Sequence, residues 1–121
     1  MLIVDDSSVM RKIIERSLRQ TGIEIENVIE ADNGIDALTI MREQHVDLVI
    51  SDINMPKMDG LEFLRQWHDA DPARRVPILM VTTEGSEAKV LEAISLGAKG
   101  YIRKPFTSDQ VKEHVALALQ S

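Results

Sequence analysis

The chain has 121 residues, a formal net charge of -6, a sequence pI near 5.0, 44% apolar residues and no cysteine. That length suits one domain, residues 1–121, with a real hydrophobic core and no room for a second. The acidic balance argues against nucleic acid held through its phosphates, and the missing cysteine excludes disulfides, zinc–thiolate sites and thiol nucleophiles.

Short apolar runs alternate with longer amphipathic stretches. Residues 2–4 are apolar and end at Asp5 and Asp6, and residues 8–20 then repeat Val9, Met10, Ile13, Ile14 and Leu18 at helical spacing. Ser7 or Ser8 is the expected N-cap, and Thr21-Gly22 ends the helix. A second strand is expected over 27–31. The Asn33-Gly34 pair precedes a helical pattern, so it marks a strand-to-helix loop rather than a hairpin. Ile35, Leu38 and Met41 give the second helix, over about 33–44. Residues 48–51 form a third apolar run that delivers Asp52 to its end, and the chain then bends through Pro56 and Gly60. Leu61, Leu64 and Trp67 mark a third helix, 77–81 a fourth strand and 87–96 a fourth helix. Tyr101 and Ile102 belong to a fifth strand, and 111–119 to a last helix.

Five such units imply right-handed crossovers and a parallel sheet covered on both faces. Ligands of such sheets bind beyond the carboxyl ends of the strands. The residues delivered there are Asp5 and Asp6, Asp52, Thr82 and Thr83, and Lys104, with Asp32 off to one side. Carboxylates ~4 Å apart repel by roughly 4 kcal/mol at an effective dielectric of about 20, so the cluster needs a compensating charge. Oxygen-only ligands suit Mg²⁺, or Mn²⁺. Lys104 can pair with Asp52 and then with a phosphoryl oxygen. An aspartate is a competent nucleophile towards phosphorus.

The segments that carry these residues are VDDS at 4–7, ISDINMPKMDG at 50–60, LMVTTE at 79–84 and GAKGYIRKPF at 97–106. Through them the whole chain resembles the receiver domains of two-component response regulators, most of all the single-domain chemotaxis regulators. The resemblance implies a flavodoxin-like, doubly wound (βα)5 sandwich whose five parallel strands run in the order 2-1-3-4-5. It implies a phosphorylation-operated switch, not an enzyme beyond its own phosphotransfer and dephosphorylation. Asp52 would be the phosphoacceptor. Asp5, Asp6, Asp52 and the backbone carbonyl of Asn54 would bind Mg²⁺. Lys104 would contact the phosphoryl group, Thr82 would move to bond it, and Tyr101 would be the switch aromatic that turns inward. Asn54 and Glu84 would tune hydrolysis. Thr83 departs from the small residue usual there and would slow entry of phosphodonor or water. The Lys104-Pro105 bond is often cis in this family, and the family usually has several residues before its first strand.

The partners implied are a histidine kinase or its phosphotransfer domain, docking near the first helix, and an output protein on the face of the fourth helix, fifth strand and fifth helix. Nucleic acid and membrane are not expected partners: no apolar run approaches the roughly 18 residues of a membrane span, and MLIV is too short for a signal peptide. A cytoplasmic monomer is expected, with phosphorylation-dependent dimerisation left open. Two other readings share the acids: a receiver cut from a larger regulator with a DNA-binding or enzymatic output domain, and a Mg²⁺-dependent phosphohydrolase. The second would place its nucleophile after the first strand in an Asp-x-Asp arrangement, whereas here adjacent aspartates stand there. His45, His68 and His114 lack metal-ligand spacing, Met55 and Met58 are expected to pack around the acceptor loop, and Trp67 to join the core. Arg11 and Lys12 read as a solvated helix face.

Overall fold

Strands that are apolar on both sides must be covered on both sides, and the chain meets that demand by alternating them with helices. The computed structural model describes residues 1–23, 25, 27–70, 76–82, 87–104 and 106–120. In chain order they form β1 (Leu2–Val4), α1 (Ser8–Gln20), β2 (Ile29–Ala31), α2 (Gly34–Glu43), β3 (Val49–Asp52), α3 (Gly60–Ala70), β4 (Ile78–Thr82), α4 (Glu87–Ser95), β5 (Gly100–Arg103) and α5 (Ser108–Gln120). All strands pair in parallel, in the expected order β2-β1-β3-β4-β5.

Side chains alternate across a strand, and the two faces carry separate cores. Leu2, Val4, Val49, Ile78 and Met80 pack with Leu38, Met41, Phe63, Leu64, Trp67 and Val90 from α2, α3 and α4. Ile3, Ile50, Leu79, Val81 and Ile102 pack with Ile14, Leu18, Val111 and Val115 from α1 and α5. Trp67 is a core residue, as its helical spacing predicts.

Several boundaries differ from the sequence reading by a residue or more, β4 at 78–82 instead of 77–81 among them, and three show a local reason. β2 begins at Ile29, not at 27, because its register pairs Leu2 with Ile29 and it is no longer than its neighbour. α5 begins at Ser108 because Thr107 and Gln110 cap it reciprocally: the Gln110 N–H donates to Thr107 Oγ1 at 3.2 Å and the Thr107 N–H to Gln110 Oε1 at 2.9 Å. β3 is shifted by one residue, so Asp52 is its last member, in register with Val81. Ser7 is the N-cap of α1, accepting from the Met10 N–H at 3.1 Å. Asn33 caps α2, accepting from the Asp36 N–H at 2.9 Å.

The loop from β3 to α3 is gripped from two sides. The Gly34 N–H donates to the Met58 carbonyl at 3.0 Å and the Gly60 N–H to the Ile53 carbonyl at 2.7 Å. Within the loop the Met58 N–H donates to the Pro56 carbonyl at 2.7 Å, with Lys57 at φ 65°, a γ-turn that few non-glycine residues adopt. Met55 and Met58 pack against the α2/α3/α4 core, as their positions predict. A β-carbon on Gly60 would lie 2.2 Å from the Asp52 carbonyl oxygen and 2.9 Å from Ile53 Cα, both of them backbone. We expect Gly60→Ala to lower stability by roughly 1–3 kcal/mol, the range of an overpacked core, in urea denaturation. A loss under about 0.5 kcal/mol would mean that α3 can retreat from the strand.

Candidate functional site

The carboxyl edge of the sheet gathers the acids because successive strands end there. Asp5 follows β1, and its N–H donates to the Ala31 carbonyl of β2 at 3.1 Å. Its side chain is buried at 1% exposure, so both oxygens need partners. Oδ1 accepts from the Ser7 N–H at 2.9 Å and Oδ2 from Lys104 Nζ at 3.4 Å. Asp52 Oδ1 accepts from the Ile53 N–H at 2.8 Å, and its Oδ2 lies 3.9 Å from Lys104 Nζ. Asp6 is exposed beside them. One oxygen of each of Asp5, Asp6 and Asp52 lies within 4.8 Å of the others, which makes them the one group of three or more acids and histidines among the described residues close enough to share an ion.

Lys104 reaches the acids because its backbone extends the sheet: its N–H donates to the Thr82 carbonyl at 2.7 Å. Thr82 is buried at the end of β4. Asn54 lies in the loop after Asp52, with its side-chain Oδ1 accepting from Lys89 Nζ of α4 at 2.8 Å. Tyr101 is on β5 and 38% exposed, outside the acid group. Asp32 stands apart as expected, accepting from Asn33 Nδ2 at 2.6 Å. Thr83, Glu84 and the proline of the Lys104-Pro105 bond lie outside the described residues.

One expectation is corrected. Arg11 is not on a solvated face: it is 16% exposed, its Nη1 donates to the Asp5 carbonyl at 2.6 Å and its Nε to Glu30 Oε1 at 2.9 Å. Helical side chains lean towards the N-terminus, so a long side chain in the first turn of α1 reaches back over the loop holding Asp5. That lean is the signal the spacing analysis missed. Lys12, 66% exposed, does stay in solvent at the edge of the same pair.

Burial pushes the Asp52 carboxyl above its ordinary value of 3.8; Lys104 opposes this, Asp5 adds to it, and the N–H groups of Ile53 and Asn54 oppose it. The folded state therefore holds the Asp52 proton more tightly than the unfolded chain does. This stabilising effect is full below pH 3.8 and is lost as pH rises through the raised folded value. In divalent-free buffer we expect Asp52→Asn to raise the melting temperature at neutral pH, with the gain shrinking as the pH falls through the raised folded value and gone below the ordinary value of 3.8. A lower melting temperature for the variant at neutral pH would contradict this account of the cluster.

A lysine set against three carboxylates leaves a net negative site of oxygen ligands, the donor set a hard divalent cation takes. A model of the response regulator receiver domain matches residues 1–116. Chemotaxis protein CheY-3 of Vibrio cholerae is 40% identical over 112 residues, covering 93% of this chain and 85% of its own. The chemotaxis protein CheY homolog of Campylobacter jejuni is 41% identical over 114 residues, covering 93% and 86%. Among solved structures, the chemotaxis response regulator CheY4 of Vibrio cholerae superposes with a TM-score of 0.83 at 36% identity, over 98% of this chain and 96% of that one. The chain belongs to the response regulator receiver domain family.

Proposed function

We propose that Asp52 is the phosphoacceptor of this receiver, and that its phosphorylation is what operates the switch. The observation that carries the reading is the placement of Asp52 at the end of the central strand, 3.9 Å from Lys104 and in one group with Asp5 and Asp6. An Asp52 oxygen attacks the phosphorus of a phosphohistidine or a small acyl phosphate; the bond to the donor breaks and the donor leaves with its electron pair. Lys104 holds the transferred group by a charge-assisted contact, and Thr82 moves to donate its hydroxyl to it. Asp5, Asp6, Asp52 and the Asn54 carbonyl hold Mg²⁺, or Mn²⁺, which when bound offsets the negative charge gathered at the site. Asn54, Thr83 and Glu84 set how long the phosphoryl group survives. The chain catalyses only its own phosphorylation and dephosphorylation.

The output surface is the face of α4, β5 and α5. In support, Leu91, Ile94 and Tyr101 are exposed there. In this reading Tyr101 turns inward when Thr82 moves. A phosphorylated population shift on this face meets a protein partner, in the manner of a CheY-like chemotaxis or motility signal. The phosphodonor is a histidine kinase or its phosphotransfer domain. Residues 1–121 act as a single receiver domain in the cytoplasm. Among the described residues no helix is long and apolar enough to cross a membrane. The family match favours this switch over a phosphohydrolase.

Acetyl phosphate with Mg²⁺ should add one phosphoryl group by intact mass, and Asp52→Asn should abolish it; undiminished labelling of the variant would sink the acceptor assignment. Separately, millimolar Mg²⁺ should raise the melting temperature by preferential binding to the folded state. Asp6→Ala should reduce that gain, and the same gain in both proteins would remove Asp6 from the ligand set.

A further inference from the structure

Asp5 and Asp6 are adjacent, and adjacent side chains of an extended chain point to opposite faces. Both nevertheless bring an oxygen to the group shared with Asp52, so the chain must turn at Asp5 and be held there. Two of the holding bonds fix Asp5 itself: its N–H on Ala31 of β2 and its Oδ1 on the Ser7 N–H. The third fixes the peptide plane between the two acids, since the Asp5 carbonyl accepts from Arg11 Nη1 at 2.6 Å. Rotation of that peptide would re-aim Asp6, and Arg11 is what opposes it.

A guanidinium so close to a cation site would repel the cation unless its charge were met. Glu30 of β2 meets it, accepting from Arg11 Nε at 2.9 Å. The Glu30 carboxyl is held below its ordinary value of 4.5, first by this bond, and so is ionised at neutral pH. The planar guanidinium thus spans a carbonyl on one element and a carboxylate on another, a task suited to arginine and not to lysine.

We propose that Arg11 is a positioning residue for the divalent cation: by bridging the Asp5 carbonyl and Glu30 it fixes the Asp5–Asp6 peptide so that both carboxylates converge with Asp52, while Glu30 cancels its charge. This rests on the metal reading of the acid group given above.

The test is Mg²⁺ titration of the full chain, read as the rise in melting temperature with concentration, which needs no phosphorylation. Arg11→Ala should raise the Mg²⁺ concentration at half effect roughly tenfold, the scale of losing a partner behind a metal ligand. Arg11→Lys should stay nearer to Arg11→Ala than to the unsubstituted protein, because charge alone does not hold the peptide. Glu30→Gln should weaken Mg²⁺ binding at low salt and recover at high salt, since it leaves the bond to Asp5 and exposes a charge that salt screens. The Arg11→Ala loss should persist at high salt. Lys12→Ala removes the same charge from the same patch without touching Asp5, and should not weaken binding.

An unchanged midpoint in Arg11→Ala, or an equal loss in Lys12→Ala, overturns the proposal while leaving the metal site standing. If the unsubstituted protein shows no Mg²⁺ effect, the metal reading falls and this proposal with it. Should Arg11→Ala fail to fold, Arg11→Lys and Glu30→Gln carry the test, and unaltered midpoints in both overturn it.

Discussion

Three carboxylates facing a single lysine is the interaction on which the rest of this structure depends. Such a cluster stores repulsion, and it survives because the groups that hold it belong to different strands of a well-packed sheet. Lys104 is pinned to β4 through its backbone, Asp5 to β2, and Asp52 is itself a ladder residue of β3. None of the three can drift away without breaking the sheet. The site is consequently preorganised for added positive charge, and the folding energy comes from elsewhere, from two apolar layers on either side of the strands.

The side that carries α4 is built differently. α4 buries only Val90 and Ala93. Its other ties are polar: Lys89 to Asn54 at 2.8 Å, Glu92 to Arg65 at 3.2 Å and Glu87 to Arg103 at 3.5 Å. Exposed polar pairs of this kind contribute little each, commonly under about 1 kcal/mol. A rigid edge of sheet beside a lightly anchored helix is the division of labour a switch requires: one part holds geometry while the other can change its position at small cost. The Lys89–Asn54 bond joins the two parts directly, since it runs from that helix to the loop immediately after Asp52.

Much of this was legible in the sequence. Continuous apolar runs such as ILMV at 78–81 could only be strands buried on both faces, and the polar residue after each run marked the edge that binds. Strand order followed from the resemblance carried by the four motifs, not from periodicity. The errors arose where a side chain acts over distance. Arg11 looked like one more charge on an amphipathic helix, because spacing reports which face a residue occupies and not how far it reaches back along the axis. The early start of α5 escaped because Thr107 and Gln110 form their cap from polar residues ahead of the apolar pattern. The third apolar run was read as ending at Ser51, although the Asp52 backbone is in the ladder, since side-chain polarity does not report backbone pairing.

The grip of Gly34 and Gly60 on the β3–α3 loop has an evolutionary and engineering consequence. Each glycine brings a helix start against a fixed carbonyl, and the two contacts lie on either side of the γ-turn at Lys57. The span between them is closed at both ends, like a link between two rivets, so an inserted or deleted residue would have to lift one helix off its strand. Diversity among such loops must therefore be written in side chains at constant length. A designer seeking a faster or slower relative of this protein has an alphabet to work with there, but no ruler.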